Sequence, residues 1–103
     1  MRACPDQIGN TQVVCYTRID TRHSHTGNTR QVINGVVLGP VSGLAICHAE
    51  GSESYFLFGC DEEWKSLSDT WHRSISEAKA QAEFEYYGTA NTWIPHIKNS
   101  SHA

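Results

Sequence analysis

Tyr55-Phe56-Leu57-Phe58-Gly59-Cys60 is a run with no charged side chain and no polar alternation, and Asp61-Glu62-Glu63 follows it at once. A strand that is apolar on both faces has to be covered on both, which places Tyr55–Cys60 inside a sheet and not at its edge. The three acids cannot continue a core strand. With Trp64, Lys65 and Ser66 they make a solvated turn. The chain then alternates, with Leu67, Asp69 and Trp71 against Ser68, Thr70 and His72, as the half-buried second strand of a hairpin does.

A helix follows. Ser74-Ile75-Ser76-Glu77 has the spacing of a capping box, in which the serine hydroxyl accepts from the Glu77 N–H and the Glu77 carboxylate reaches back to the Ser74 N–H. Good helix formers continue from Ala78 to Tyr87, and Gly88 is placed to end the helix in the left-handed conformation. At 100° per residue, Ile75, Ala78, Ala82 and Tyr86 share one face, and the alanines let the helix lie close to a sheet. Ala80, Phe84 and Tyr87 fall on nearly the opposite face. This second stripe needs its own cover. The segment after the helix, with Trp93, Ile94 and Ile97, is one source of it, and a second copy of the chain is the other.

Upstream, residues 1–10 read as a loose polar arm. Gln12–Ile19 reads as the first strand, residues 20–30 as a polar loop, Gln31–Leu38 as the second strand and Ser42–Ala49 as the third. Asn34-Gly35 interrupts the second strand as either a turn or a bulge. Residues 98–103 read as a disordered tail. Consecutive hairpins and one late helix give an α+β domain spanning 1–103. It has a mainly antiparallel sheet of about five strands, with one C-terminal α-helix packed on one face.

Charged residues are 18% and hydrophobic residues 39% of the chain, a balance that supports a packed core. The net charge is −3 and the basic residues are scattered, which argues against nucleic acid as the main partner. No apolar run approaches the length of a membrane span, and the N-terminus lacks the apolar stretch of a signal peptide, so the expected location is cytoplasmic. The four cysteines, Cys4, Cys15, Cys47 and Cys60, are then reduced thiols, and none has the C-x-x-C spacing of a zinc or redox site.

The runs Phe58-Gly59-Cys60-Asp61-Glu62-Glu63-Trp64, Ser68-Asp69-Thr70-Trp71-His72, Glu77-Ala78-Lys79 and Gln81-Ala82-Glu83-Phe84-Glu85-Tyr86 resemble a pattern in small bacterial single-domain proteins with no assigned activity. The chain is also similar to short proteins carried on mobile gene cassettes. The resemblance covers the C-terminal third, implies a compact bacterial protein and transfers no catalytic residue.

Two constellations could carry chemistry. Asp61, Glu62 and Glu63 in the acidic turn, with Asp69 and His72 on the next strand, could converge on a metal and serve a small hydrolase. The bland alternative is a solvated turn with carboxylates capping backbone groups. His23 and His25 could share a metal if their loop is extended, and otherwise decorate a surface loop. Cys47-His48 point to opposite faces of a strand and cannot act as nucleophile and base. No nucleophile elbow, phosphate loop or cofactor fingerprint is present, so no cofactor is expected. The aromatic residues are more telling. Trp64, Trp71, Trp93, Phe84 and Tyr87 exceed what one sheet face and one helix can bury. They predict a non-enzymatic interaction module that pairs with itself, most simply as a homodimer, and that could also take a protein or a small apolar ligand.

Overall fold

The computed structural model describes residues 1–29, 32–37 and 39–97. In chain order the elements are β1 (Gln7–Ile8), β2 (Thr11–Arg18), β3 (Ser24–His25), β4 (Val32–Ile33), β5 (Val36–Val37), β6 (Gly43–Ala49), β7 (Tyr55–Cys60) and β8 (Ser66–His72). They continue with α1 (Ile75–Glu85), β9 (Tyr86–Tyr87), a 3₁₀ turn at Thr89–Asn91, and β10 (Ile94–Pro95). The class is α+β with antiparallel pairing throughout, and β1-β2-β6-β7-β8 with β10 on β2 form a six-stranded sheet. β3–β9 and β4–β5 are separate two-stranded ribbons. The expected count of about five strands is therefore too low. The helix is also not the last element, because β9, the 3₁₀ turn and β10 follow it.

β7 lies between β6 and β8, as its unbroken apolar run requires. Its two faces feed two cores. On one side Leu57 joins Cys15, Val41, Leu44 and Ile46 under Ala78, Ala82 and Tyr86, with Ile75 and Trp93 packed at the margin. The two helix alanines are fully buried, so the backbone of α1 comes close to the sheet. The Val41 N–H donates to the Tyr86 hydroxyl at 3.0 Å, which satisfies that buried phenol. On the other side Ile8, Val13, Ala45, Cys47, Cys60 and Trp64 make a second cluster, with Cys4, Tyr16 and Phe58 against it.

The segment read as a loose arm is engaged in this second core. Gln7 and Ile8 pair with Gln12 and Thr11, Ile8 is buried, and the Arg2 carbonyl accepts from Trp64 Nε1 at 2.7 Å. The far end of the chain closes the same sheet edge. Ile94 and Pro95 pair with Tyr16 and Cys15. Where β2 bulges between Val13 and Cys15, the Val13 N–H donates to the Asp6 carbonyl and the His96 N–H to the Val14 carbonyl. His96 Nε2 and Asp6 Oδ1, 2.8 Å apart, tie the two covering segments together.

Asn34-Gly35 resolves as a turn and not a bulge. Both residues have positive φ, 52° and 79°, the requirement of a two-residue type I′ hairpin between Val32–Ile33 and Val36–Val37. Gln31 and Leu38, the expected ends of that strand, lie outside the described residues, as does the expected disordered tail at 98–103.

α1 starts where the sequence predicts. Ser74 is extended and its Oγ accepts from the Glu77 N–H at 3.0 Å. The return bond differs by one residue, since the Glu77 carboxylate accepts from the Arg73 N–H at 3.2 Å. The helix ends at Glu85, earlier than Gly88, because Tyr86 and Tyr87 turn extended to pair with His25 and Ser24. Gly88 does take the left-handed conformation, with φ 101°, and a Cβ there would stand 2.7 Å from the Arg22 carbonyl. The turn beyond is held by Glu83, whose carboxylate accepts from the N–H groups of Gly88 at 3.1 Å and Ala90 at 2.9 Å.

Candidate interaction surface

The acidic turn is a structural cap. Asp61 Oδ1 accepts from the N–H groups of Glu63 and Lys65 at 2.9 Å each, and the Asp61 and Trp64 N–H groups close the turn on the Lys65 and Asp61 carbonyls. This geometry holds Trp64 in the left-handed region at φ 64°, unusual for a bulky residue, and swings its indole inward. Gly43 makes room for it, since a Cβ on Gly43 would stand 2.8 Å from the indole ring. Trp64 is 3% exposed, meets Tyr16 edge to face and lies beneath the Arg18 guanidinium. It is thus a core residue and not part of an interface, which corrects the sequence expectation.

The metal constellation does not assemble. His72 pairs with Tyr55 at the far end of the hairpin from the turn, six residues beyond Ser66, or about 20 Å at the usual rise per residue. Asp69 faces Phe58 from the exposed side of the sheet, while the His72 ring bonds Thr70 Oγ1 at 2.7 Å in a half-buried position. Burial holds the His72 imidazole below its usual pKa, partly opposed by Glu77 and Glu85. Glu62 and Glu63 are solvated.

His23 and His25 are each occupied separately. The His23 ring is buried, its Nδ1 accepts from the Asp20 N–H at 3.1 Å, and its Nε2 meets Thr92 Oγ1 at 2.8 Å. A lone pair at Nδ1 leaves the proton on Nε2, so the ring bridges the 20–23 loop to the chain beyond the helix. The His25 ring stacks on Tyr86 at 5.0 Å. Among the described residues no three His, Cys, Asp or Glu side chains are grouped as metal ligands.

The cysteines are unpaired, and burial is the main cause that raises each thiol pKa, to about 12 for Cys4 and Cys60 and about 11 for Cys47. Such thiols stay protonated and are poor nucleophiles. A cleft of about 320 Å³ opens beside Met1, Arg18, Ile19, Asp20, Val41, Ser42 and Glu62. Among the described residues its polar wall is made by Arg18, Asp20, Ser42 and Glu62. Asp20 in it is engaged by the Arg22 guanidinium and backbone, which hold its carboxyl down at about 2.

What remains distinctive is the exposed aromatic surface, and it falls in two patches. At the end of the helix, Phe84 is 50% and Tyr87 68% exposed. The segment that could have folded over them runs instead to β2, taking Trp93 into the margin of the helix-side core. The Trp93 indole N–H is buried there without a hydrogen-bond partner among the described residues. The second patch lies on the opposite face of the sheet. Trp71 is 55% exposed beside its register partner Phe56, and Phe56 stacks on Phe58 at 5.8 Å. Sequence reasoning found Trp71, Phe84 and Tyr87 by elimination, but it did not place the half-buried Phe56 and Phe58 beside Trp71, because an apolar run does not reveal how far each of its faces is covered.

No protein-family model, curated protein or solved structure matches the chain. Among the described residues no helix is long and apolar enough to cross a membrane.

Proposed function

We propose that the protein is a non-enzymatic interaction module that associates with itself through its aromatic surface and works in the cytoplasm. The observation that carries this reading is the exposure of Trp71, Phe84 and Tyr87 after every described segment has found its place. Each of these rings buries about 150–250 Å² when covered, so leaving them in water forgoes on the order of several kcal/mol. The two patches lie on opposite faces of the molecule, so one copy has surface for a second copy and for a further protein partner or a small apolar ligand. Trp64 and Trp93 pack in or against the two cores, and Asp61, His23 and His25 are engaged within the chain.

Sedimentation of the unmodified chain over micromolar to submillimolar concentrations tests the proposal. The expected result is a reversible shift from monomer to dimer mass. Monomer mass throughout that range would refute self-association.

A further inference from the structure

The cleft beside Arg18 is built where three strands meet. Arg18, the last residue of β2, faces Gly43 at the start of β6. The Ile19 N–H donates to the Ser42 carbonyl and the Ser42 N–H to the Cys60 carbonyl, each at 2.9 Å. Backbone pairing therefore fixes the positions of Arg18, Ile19 and Ser42. The cleft of about 320 Å³ that they line is at the small end of the range for small-molecule sites.

Arg18 is half-buried, and its guanidinium lies 5.4 Å from the ring centre of Tyr16 and 6.0 Å from that of Trp64. Two acids line the same cleft, but neither pairs with it. Asp20 is held by Arg22, and Glu62 is solvated. No ion pair within the chain engages Arg18 among the described residues. A guanidinium lodged against rings keeps N–H groups for a planar acceptor and has little side-chain freedom left to lose on binding. Ser42 lines the same wall, and its hydroxyl is a further donor.

The rest of the wall indicates what the acceptor belongs to. Val41 is buried, and Ile19 is packed against the helix-side core. With Met1 they give the cleft an apolar surface for a short hydrocarbon tail. Asp20 and Glu62 put negative charge on the same wall, which opposes a second anionic group on a ligand. One carboxylate on an apolar body suits these walls better than a phosphate or a dicarboxylate.

We infer that this cleft binds a small monocarboxylate, with its carboxylate on the Arg18 guanidinium, Ser42 as a second donor, and its tail against Ile19, Val41 and Met1. Two sources share this chemistry. One is a free short-chain acid, and the other is an apolar amino acid whose ammonium group would meet Glu62. The inference goes beyond the aromatic surface and does not rest on self-association.

The test is an amide chemical-shift titration of the unmodified chain with isocaproate and with L-leucine, which adds only the ammonium group. Saturable shifts at the amides of Ile19, Asp20 and Ser42 are expected at millimolar concentration or below with at least one of them. Tighter isocaproate identifies a free acid as the source. Tighter leucine, with the preference lost in Glu62→Gln, identifies an amino acid. Isocaproamide, which has no charge, and succinate, which has two, should each bind about tenfold more weakly or worse. Arg18→Met keeps an apolar stem over the rings and removes the guanidinium. It should weaken binding by about tenfold or more with circular dichroism unchanged. The neutral and doubly charged probes read the same requirement on the unmodified chain, so the test survives a variant that fails to fold. No saturable shift with either monocarboxylate overturns the site. So does isocaproamide, succinate or a folded Arg18→Met binding as tightly as the better monocarboxylate on the unmodified chain. Sedimentation reads self-association separately, so failure of one reading leaves the other standing.

Discussion

Glu83 connects the last turns of α1 to the chain beyond it. Its carboxylate accepts from Gly88 and Ala90, and the Gly88 bond is the largest cause, ahead of the Ala90 bond, of a pKa held below the ordinary glutamate value. A depressed carboxyl contributes stability that is fully present above the unfolded pKa and is lost as the pH falls through the folded one. Glu83→Gln keeps an acceptor but not the charge, and should lower stability at neutral pH by about 1 kcal/mol. Denaturant midpoints of the two proteins should converge as the pH falls below the glutamate range. A gap that stays constant with pH would mean that the charge on Glu83 contributes nothing. Trp64 shows what single residues hide in sequence. Its place beside three acids reads as a turn surface, yet a left-handed backbone and the Arg2 carbonyl, distant in the chain, turn the indole into the core.

At the scale of elements, legibility followed the range of the determining forces. The Ser74 cap and the β7–β8 hairpin rest on local chemistry, and each stands where the pattern predicts it. Ser74→Ala should therefore cost about 0.5–2 kcal/mol in chemical denaturation. An unchanged midpoint would mean that the Ser74 hydroxyl does not hold the helix start. β1, β3, β9 and β10 were not legible because two residues carry no periodicity, and their pairing is decided by the longer strand or loop beside them. The end of α1 was misplaced for the same reason. Tyr86 and Tyr87 have helix-compatible neighbours in sequence, but pairing with Ser24 and His25 wins over two more residues of helix. The metal constellation failed at this scale too. Hairpin pairing brings Asp69 opposite Phe58 and carries His72 away from the turn, a separation that counting acids and histidines cannot reveal.

For the whole molecule, the described residues leave a sheet with one covered edge and one edge without a pairing strand, and an aromatic patch on each face. The chain covers the β2 edge with β1 and β10, and among the described residues no strand pairs with the outer side of β8. Amide hydrogen exchange measured at low and high protein concentration tests self-association through the aromatic surface most directly. Amides beside Trp71 or beside Phe84 and Tyr87 should become better protected as concentration rises, while those of β7, paired on both sides, should be slow at every concentration. Exchange at both patches that does not change with concentration would contradict self-association through them.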